Sequence, residues 1–272
     1  MSNLQKLMTA DQAVEQVADG ACIALGGWVF NSQPMALVKA LLNQGAGDLR
    51  LLPAPGSIAP DILIGAGRVA ETFCIFISFE EFGLAPNFRR QAEAQALRVL
   101  ELDGPALAAG LRAAICDLPY GLIPDLATDL PRVNPDYYRP VPREPGQRPL
   151  LSVPPIRPDV CLLHAQQGDI YGNVQFLGPP FFDVMLAQAS RRVIVSVDRI
   201  VDTATLSQAS HLTKLPCVMV DAVVEAPQGA YPTASPSLYA ADETELKRYL
   251  KACRTPDAFA SYVDAFISSK RD

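Results

Sequence analysis

The sequence predicts an α/β fold: an open, mostly parallel sheet with helices on both faces. Three observations lead there. Short apolar runs alternate along the chain with segments whose apolar residues recur at helical spacing. Each run stops at glycine, proline or a polar cluster. Over 272 residues, 49% are hydrophobic and 19% charged, enough apolar surface to cover a sheet on both sides.

The elements follow in order. Thr9 and Gln12 form a T-x-x-Q capping box, and Ala10, Val14 and Val17 share one helical face. Residues 21–25 are an apolar strand that runs into Gly26-Gly27. Pro34 suits the first turn of a helix carrying Met35, Val38, Leu41 and Leu42. Strands are expected at 49–52, 72–77 and 97–100, ending respectively at Pro53-Ala-Pro55-Gly56, Ser78-Phe79-Glu80 and Glu101-Leu102-Asp103. Between them lie helical pieces at 61–67 and 86–95, and Pro105 opens a helix on Leu107, Leu111, Ala114 and Ile115. Residues 117–158 hold 11 of the 24 prolines. They read as an ordered surface excursion within a single domain spanning 1–272. Afterwards the alternation returns. A strand at 160–163 ends at His164-Ala-Gln166-Gln167, and a turn-rich stretch leads to an extended piece at 174–177. A helix at 181–190, strands at 192–197 and 217–224, and helices from Asp242 and Pro256 complete the chain.

Composition excludes several classes. There are 23 basic and 29 acidic residues, a net charge of -6, and no basic stripe, so neither nucleic acid nor an anionic membrane is an expected partner. Apolar runs such as 73–77 fall far below the roughly 18 residues needed to span a bilayer. The N-terminus lacks a basic region followed by an apolar core, so no signal peptide is expected. The six cysteines are widely spaced without a CxxC pair and read as reduced thiols in a cytoplasmic protein. His164 and His211 have no metal-ligand spacing, and no metal is expected. Neither a G-x-S-x-G elbow nor a P-loop occurs. Gly65-Ala-Gly67-Arg-Val-Ala70 fits G-x-G-x-x-A, but a strand follows at once where a dinucleotide site needs a helix.

In open α/β sheets, ligands bind outside the carboxyl ends of the strands. The segments expected there are Gly26-Gly27-Trp28, Pro53-Ala-Pro-Gly56, Ser78-Phe79-Glu80, Glu101-Leu102-Asp103 and His164-Ala-Gln166-Gln167. They offer backbone N–H groups, carboxylates, amides and one imidazole, an inventory suited to stabilising an oxyanion on a carbonyl substrate. Gly26-Gly27 lets a ligand approach the backbone, and Asn31 and Gln33 could line the same loop with amide donors.

These residues match a known pattern. Asp19-Gly20-Ala-Cys-Ile-Ala-Leu-Gly26-Gly27-Trp28 followed by Pro34 resembles the D-G-x-x-I-x-x-G-G-F…P segment of family I coenzyme A transferase alpha subunits, in particular the branch of the glutaconate CoA-transferase alpha subunit. The resemblance continues at Leu63-Ile-Gly-Ala-Gly67-Arg68-Val69. It resumes at His164-Ala-Gln166-Gln167-Gly-Asp169-x-x-Gly172-Asn173, and again at Val220-Asp221-Ala-Val-Val-Glu225-Ala-Pro-x-Gly229-Ala230.

The resemblance implies a CoA-transferase/ribose-phosphate-isomerase type of fold and an enzyme of two subunits, as a heterodimer or heterotetramer. It implies acyl-CoA and carboxylic acids as substrates. Coenzyme A enters as a substrate, and no cofactor is permanently bound. A glutamate from the beta subunit attacks the acyl-CoA carbonyl. Gly26, Gly27 and Trp28 take the oxyanion role; the loop and strand-end positions offer Asn31, Gln33, Phe79, Glu80, His164 and Gln166 as the substrate-binding residues. The sequence departs from the pattern at Trp28, where Phe is usual, and at Ser32, where many members have Gly. Some pairs in this branch hydrolyse CoA thioesters or open a carbon ring, using a carboxylate of the alpha subunit. Glu101 is the alternative base for that chemistry.

Overall fold

The sequence's apolar runs become strands at the places where a chain must bury both faces. The computed structural model describes residues 4–269; Met1, Ser2 and Asn3, where the N-terminal reading begins, lie outside the described residues. The first strands are β1 (Cys22–Leu25), β2 (Leu49–Pro53), β3 (Val69–Cys74) and β4 (Arg98–Glu101). The excursion carries β5 (Gly121–Pro124), β6 (Arg139–Pro140) and β7 (Leu150–Val153). The second half adds β8 (Val160–Gly168), β9 (Val174–Gln175), β10 (Arg192–Ile200), β11 (Thr213–Leu215) and β12 (Ala222–Glu225).

Among the described residues these form a nine-stranded open sheet and a separate three-stranded one ordered β5-β7-β6. In the large sheet β1 pairs in parallel with β2, β2 with β3 and β3 with β4. On its other side β1 pairs in parallel with β8, β8 with β10 and β10 with β12. The chain therefore builds outward from β1 to β4, then returns past β1 to lay down β8. The order reverses between β1 and β8, the place where open α/β sheets leave a crevice. Short antiparallel β9 and β11 extend the far end of β8.

Alternation sorts the side chains into two cores. Ile23, Leu25, Leu49, Leu51, Val160 and Leu162 point to one layer. Cys22, Ala24, Leu52, Cys161, Leu163 and Ala165 point to the other. The first layer is covered by α1 (Ala10–Val14), α2 (Met35–Gln44), α3 (Ile58–Gly65) and α4 (Pro86–Glu93), and by the two C-terminal helices. The second is covered by α5 (Gly104–Ile115) and, beyond α6 (Leu130–Val133), by α7 (Asp183–Ala189). The remaining helices are α8 (Thr203–Gln208), α9 (Glu243–Ala252) and α10 (Pro256–Ser268).

The expected capping box is present, with Gln12 N–H on Thr9 Oγ1 and Thr9 N–H on Gln12 Oε1. Pro34 caps α2 instead of lying within its first turn. Other boundaries move for identifiable reasons. β3 begins three residues before the expected strand, because pairing with Leu49 starts at Val69. That leaves Ile75 to Ile77 beyond the strand, with Phe76 exposed. β8 runs to Gly168 because β10 pairs with it along its whole length. The expected strand at 217–224 splits into a 3₁₀ turn, Cys217–Met219, followed by β12. The sequence pattern gives no sign of α8 or β11; Asp202 caps α8 by accepting from the Thr205 N–H.

A buried carboxylate pins three helices together. Asp61 of α3 accepts from the Phe88 N–H at 2.7 Å, Tyr249 Oη at 2.7 Å and Asn87 Nδ2 at 3.0 Å. Burial pushes its carboxyl up to about 6, with those hydrogen bonds pulling the other way. Asp61→Ala should lower unfolding free energy by about 3 kcal/mol, since it strands three donors around a cavity. Because the folded value is raised, the contribution of this group is full below its unfolded value near about 4 and is lost as pH climbs through about 6. Urea melts at pH 4.5 and 7.5 should show that loss in the wild type, with a smaller pH difference in Asp61→Asn.

Candidate functional site

The loop after β1 enters the crevice between β1 and β8, and glycine at 26 and 27 is what lets it do so. A Cβ on Gly26 would lie 2.3 Å from Leu163 Cδ2 and 2.6 Å from Asp183 Oδ1. Gly27 holds φ at +85°, and a Cβ there would lie 2.5 Å from the Asn31 carbonyl oxygen. Both positions require close backbone approach, and Gly27 also requires the left-handed conformation.

The loop's donors are used inside the chain. The Gly26 N–H donates to the Leu162 carbonyl at 3.0 Å and the Trp28 N–H to the Asn31 carbonyl at 2.8 Å. The Gly27 N–H donates to Asp183 Oδ1 at 2.8 Å. An oxyanion site needs donors aimed at the reacting oxygen. In this structure the N–H groups of Gly26, Gly27 and Trp28, the ones expected to play that part, all donate within the chain. Asn31 is half-buried and its N–H donates back to the Trp28 carbonyl, closing a tight turn. Gln33 is buried behind the loop. Its Nε2 donates to the Val29 carbonyl at 2.7 Å and its Oε1 accepts from the Ala59 N–H in the first turn of α3. It braces the loop instead of lining a pocket.

The remaining expected residues divide. Trp28 stands at the surface, 36% exposed, with its ring stacked on Phe181 at 5.1 Å between centroids. Glu80 is exposed and opens a 3₁₀ turn, Glu80–Phe82, and Glu101 is exposed at the end of β4. Glu101 also lines a groove of about 1060 Å³ between α4 and the free edge of β4. Phe79, by contrast, is fully buried and stacks on Tyr249 at 5.6 Å, so it belongs to the core.

His164 and Gln166 lie within β8, not at its end, and both are buried. His164 Nε2 meets Asp198 Oδ2 at 3.0 Å and Nδ1 meets Ser196 Oγ at 2.9 Å. Since the Ser196 hydroxyl donates to the Leu163 carbonyl, it accepts from His164. Ser235 Oγ donates to Asp198 Oδ2, and Gln166 Nε2 donates to Ser235 Oγ at 3.1 Å. Burial pushes the Asp198 carboxyl up, but hydrogen bonds from His164 and Ser235 and the charge of His164 outweigh it and hold the carboxyl below its ordinary value. This chain of bonds ties β8, β10 and the 229–239 loops together beneath the edge.

Sequence reasoning missed Asp183. It begins α7, where an acidic residue reads as an ordinary helix-terminus charge. In the structure it is 1% exposed, bonded through Oδ1 to Gly27, with no partner on Oδ2 among the described residues. Burial pushes its carboxyl up to about 7. Several residues of the loops after β1 and β3 and of the segment before α7 have left-handed backbone, as do six others elsewhere in the chain. Val29, Ser32, Glu80 and Phe181 hold φ at +43°, +52°, +49° and +43°. Such conformations in residues with side chains collect at functional edges. Among the described residues no cluster of His, Cys, Asp and Glu could hold a metal, and no helix is long and apolar enough to cross a membrane.

Comparison with known proteins bears on the family and the fold. A model of the coenzyme A transferase family matches residues 7–226. The cholesterol ring-cleaving hydrolase IpdA subunit of Rhodococcus jostii is 33% identical, over 100% of this chain and 95% of that protein. The A subunit of glutaconate CoA-transferase from Acidaminococcus fermentans is 30% identical, over 99% and 90%. The crystal structure of glutaconate coenzyme A-transferase from that organism superposes with a TM-score of 0.90, covering 98% of this chain and 90% of the other at 28% identity. The decarboxylase AibA/AibB superposes with a TM-score of 0.85 at 31% identity, covering 98% and 100%.

The two glycines separate in their expected cost. Gly27→Ala forces a left-handed alanine against backbone that cannot yield, and should lower stability by about 2–4 kcal/mol. Gly26→Ala presses on the ends of two buried side chains, Leu163 and Asp183, but meets no backbone and needs no left-handed conformation, and should cost less than Gly27→Ala. Thermal unfolding of both variants checks the order.

Proposed function

The chain belongs to the coenzyme A transferase family, and from that premise we propose that it is the alpha subunit of a two-subunit enzyme moving coenzyme A between small carboxylic acids. The observation that carries this reading is an incomplete site. The carboxyl edge of the sheet offers an aromatic wall, Trp28 on Phe181, and the exposed carboxylates Glu80 and Glu101. Of the buried acids, Asp61 is held by three donors, while Asp198 and Asp183 are each bonded through one oxygen, and the loop's N–H groups donate within the chain. A nucleophile with an activating neighbour is needed for covalent acyl transfer. On this reading the beta subunit supplies it as a glutamate and completes the oxyanion site. Acyl-CoA and the acceptor acid meet between the two chains, with coenzyme A a substrate and not a resident group. The cytoplasm, which keeps thiols such as these reduced, suits the pair.

A second reading has its own support. The relative named as a ring-cleaving hydrolase subunit is similar over 95% of its length, and Glu101 stands at the open edge where a carboxylate base could reach water or substrate. The two readings differ in what Glu101 does. The chain co-expressed with its partner should consume acyl-CoA only when an acceptor acid is added, and Glu101→Gln should cost about tenfold through substrate positioning. Acceptor-independent release of coenzyme A that falls about 10²–10⁴-fold in Glu101→Gln would instead install the hydrolase. Full activity of this chain alone would remove the partner from the mechanism.

A further inference from the structure

The loop after β1 and the segment leading into α7 are clamped together across the crevice by two neighbouring contacts. One is the hydrogen bond from the Gly27 N–H to Asp183 Oδ1. The other is the stack of Trp28, next to Gly27, on Phe181, two residues before Asp183. The clamp spans the switch point between β1 and β8, and Gly26 is kept free of a side chain so that Asp183 can reach it.

The carboxyl in this clamp is unusual in having only one bond. A buried carboxylate ordinarily collects several donors. Asp183 has the single N–H on Oδ1, while Oδ2 is buried without a partner among the described residues. The ionised form therefore leans on Gly27 for what stabilisation it has, and the bond is charge-assisted. When Oδ2 is protonated, Oδ1 accepts as an ordinary carbonyl oxygen, and the bond weakens by roughly half. Proton loss and loop position are linked in this way.

We propose that Asp183 is a positioning residue for the reaction at the carboxyl edge. By accepting the Gly27 N–H it holds the Trp28–Phe181 stack as one wall of the acyl pocket, and its protonation state sets how firmly the wall is held. This rests on the reading of that edge as the reaction site.

The surroundings leave the effect to Asp183 itself. From β8 the titratable group facing it is Cys161, whose thiol is pushed well up by burial and then by Asp183. Cys161 stays neutral through the working range. β1 turns Ala24 and Cys22 to the same layer, and burial pushes the Cys22 thiol up to about 11, so it too stays neutral. α5, which also packs on α7, carries Arg112, and that side chain is exposed. His164 sits one residue from Leu163 on β8 and so points to the opposite face of the sheet. Burial holds the Asp183 carboxyl near about 7, which places its titration in the physiological range.

Trp28 is the chain's one tryptophan, so the wall reports on itself. The full chain should show a sigmoidal change in tryptophan emission and acrylamide quenching between pH 5 and 9, and Asp183→Asn should abolish it. Phe181→Leu, which leaves the carboxyl in place, should raise the quenching constant severalfold and shrink the emission change. It serves equally if Asp183→Asn fails to fold. In the co-expressed pair, Asp183→Ala should lower kcat/KM tenfold or more. Asp183→Asn, which keeps an acceptor for Gly27, should recover most of that while losing the wild-type pH dependence. A wild type without an emission titration, or a titration unchanged in Asp183→Asn, overturns the proposal. Failure of every acyl-CoA as substrate overturns the functional reading instead, because the fluorescence result stands without turnover.

Discussion

The constraint on which the rest depends is the parallel pairing of β8 with β1 on one side and β10 on the other. All nine residues of β8 are buried, so its backbone groups have no water to turn to and must be met by neighbouring strands. That requirement fixes β1 beside β8 even though more than a hundred residues separate them. It forces the chain to return past its starting strand, and the return creates the crevice. Everything placed there, from the double glycine to the Trp28–Phe181 stack, inherits its position from this pairing.

A second layer of constraint lies beneath the edge. The His164–Asp198–Ser235–Gln166 network bonds the polar side chains that the long β8 carries into the interior, leaving Asp198 Oδ1 without a partner among the described residues. Buried networks of this sort are costly when broken and specify one arrangement when complete. Gln33 does the same for the loop, bonding Val29 and the start of α3 at once. His164, Gln166 and Gln33 are thus all held by internal hydrogen bonds. At the exposed edge stand the Trp28–Phe181 stack and the carboxylates of Glu80 and Glu101.

The fold was legible because its signal is periodicity and interruption. Apolar runs cut by Gly26-Gly27, by Pro53-Ala-Pro55-Gly56 and by the Glu101-Leu102-Asp103 cluster mark strand ends that the structure keeps or shifts slightly. The resemblance read from the glycine segment and the His164 segment agrees with the family match. What the sequence hid were distances along strands. A strand's length is set by its partner, so nothing local to His164 shows that β10 carries β8 on to Gly168. For that reason His164 and Gln166 read as edge residues and are interior ones. Phe79 misled in the same way, since Tyr249, its stacking partner, lies 170 positions away. Asp183 was invisible because an acid at a helix start has an ordinary explanation, and only the approach of Gly26 shows that this one turns inward.

The four left-handed residues at the edge, Val29, Ser32, Glu80 and Phe181, stand in contrast to the sheet below them. Each carries strain of about 1–3 kcal/mol that the buried strands must offset. The strain and the stability thus reside in different parts of the molecule. Loops held in place by a scaffold they do not themselves support can exchange side chains, lengths and even reaction type while the scaffold persists. A hydrolase, a transferase and a decarboxylase among the similar proteins are what such a division would produce over time. The sheet acts as memory and the edge as the part that can be rewritten.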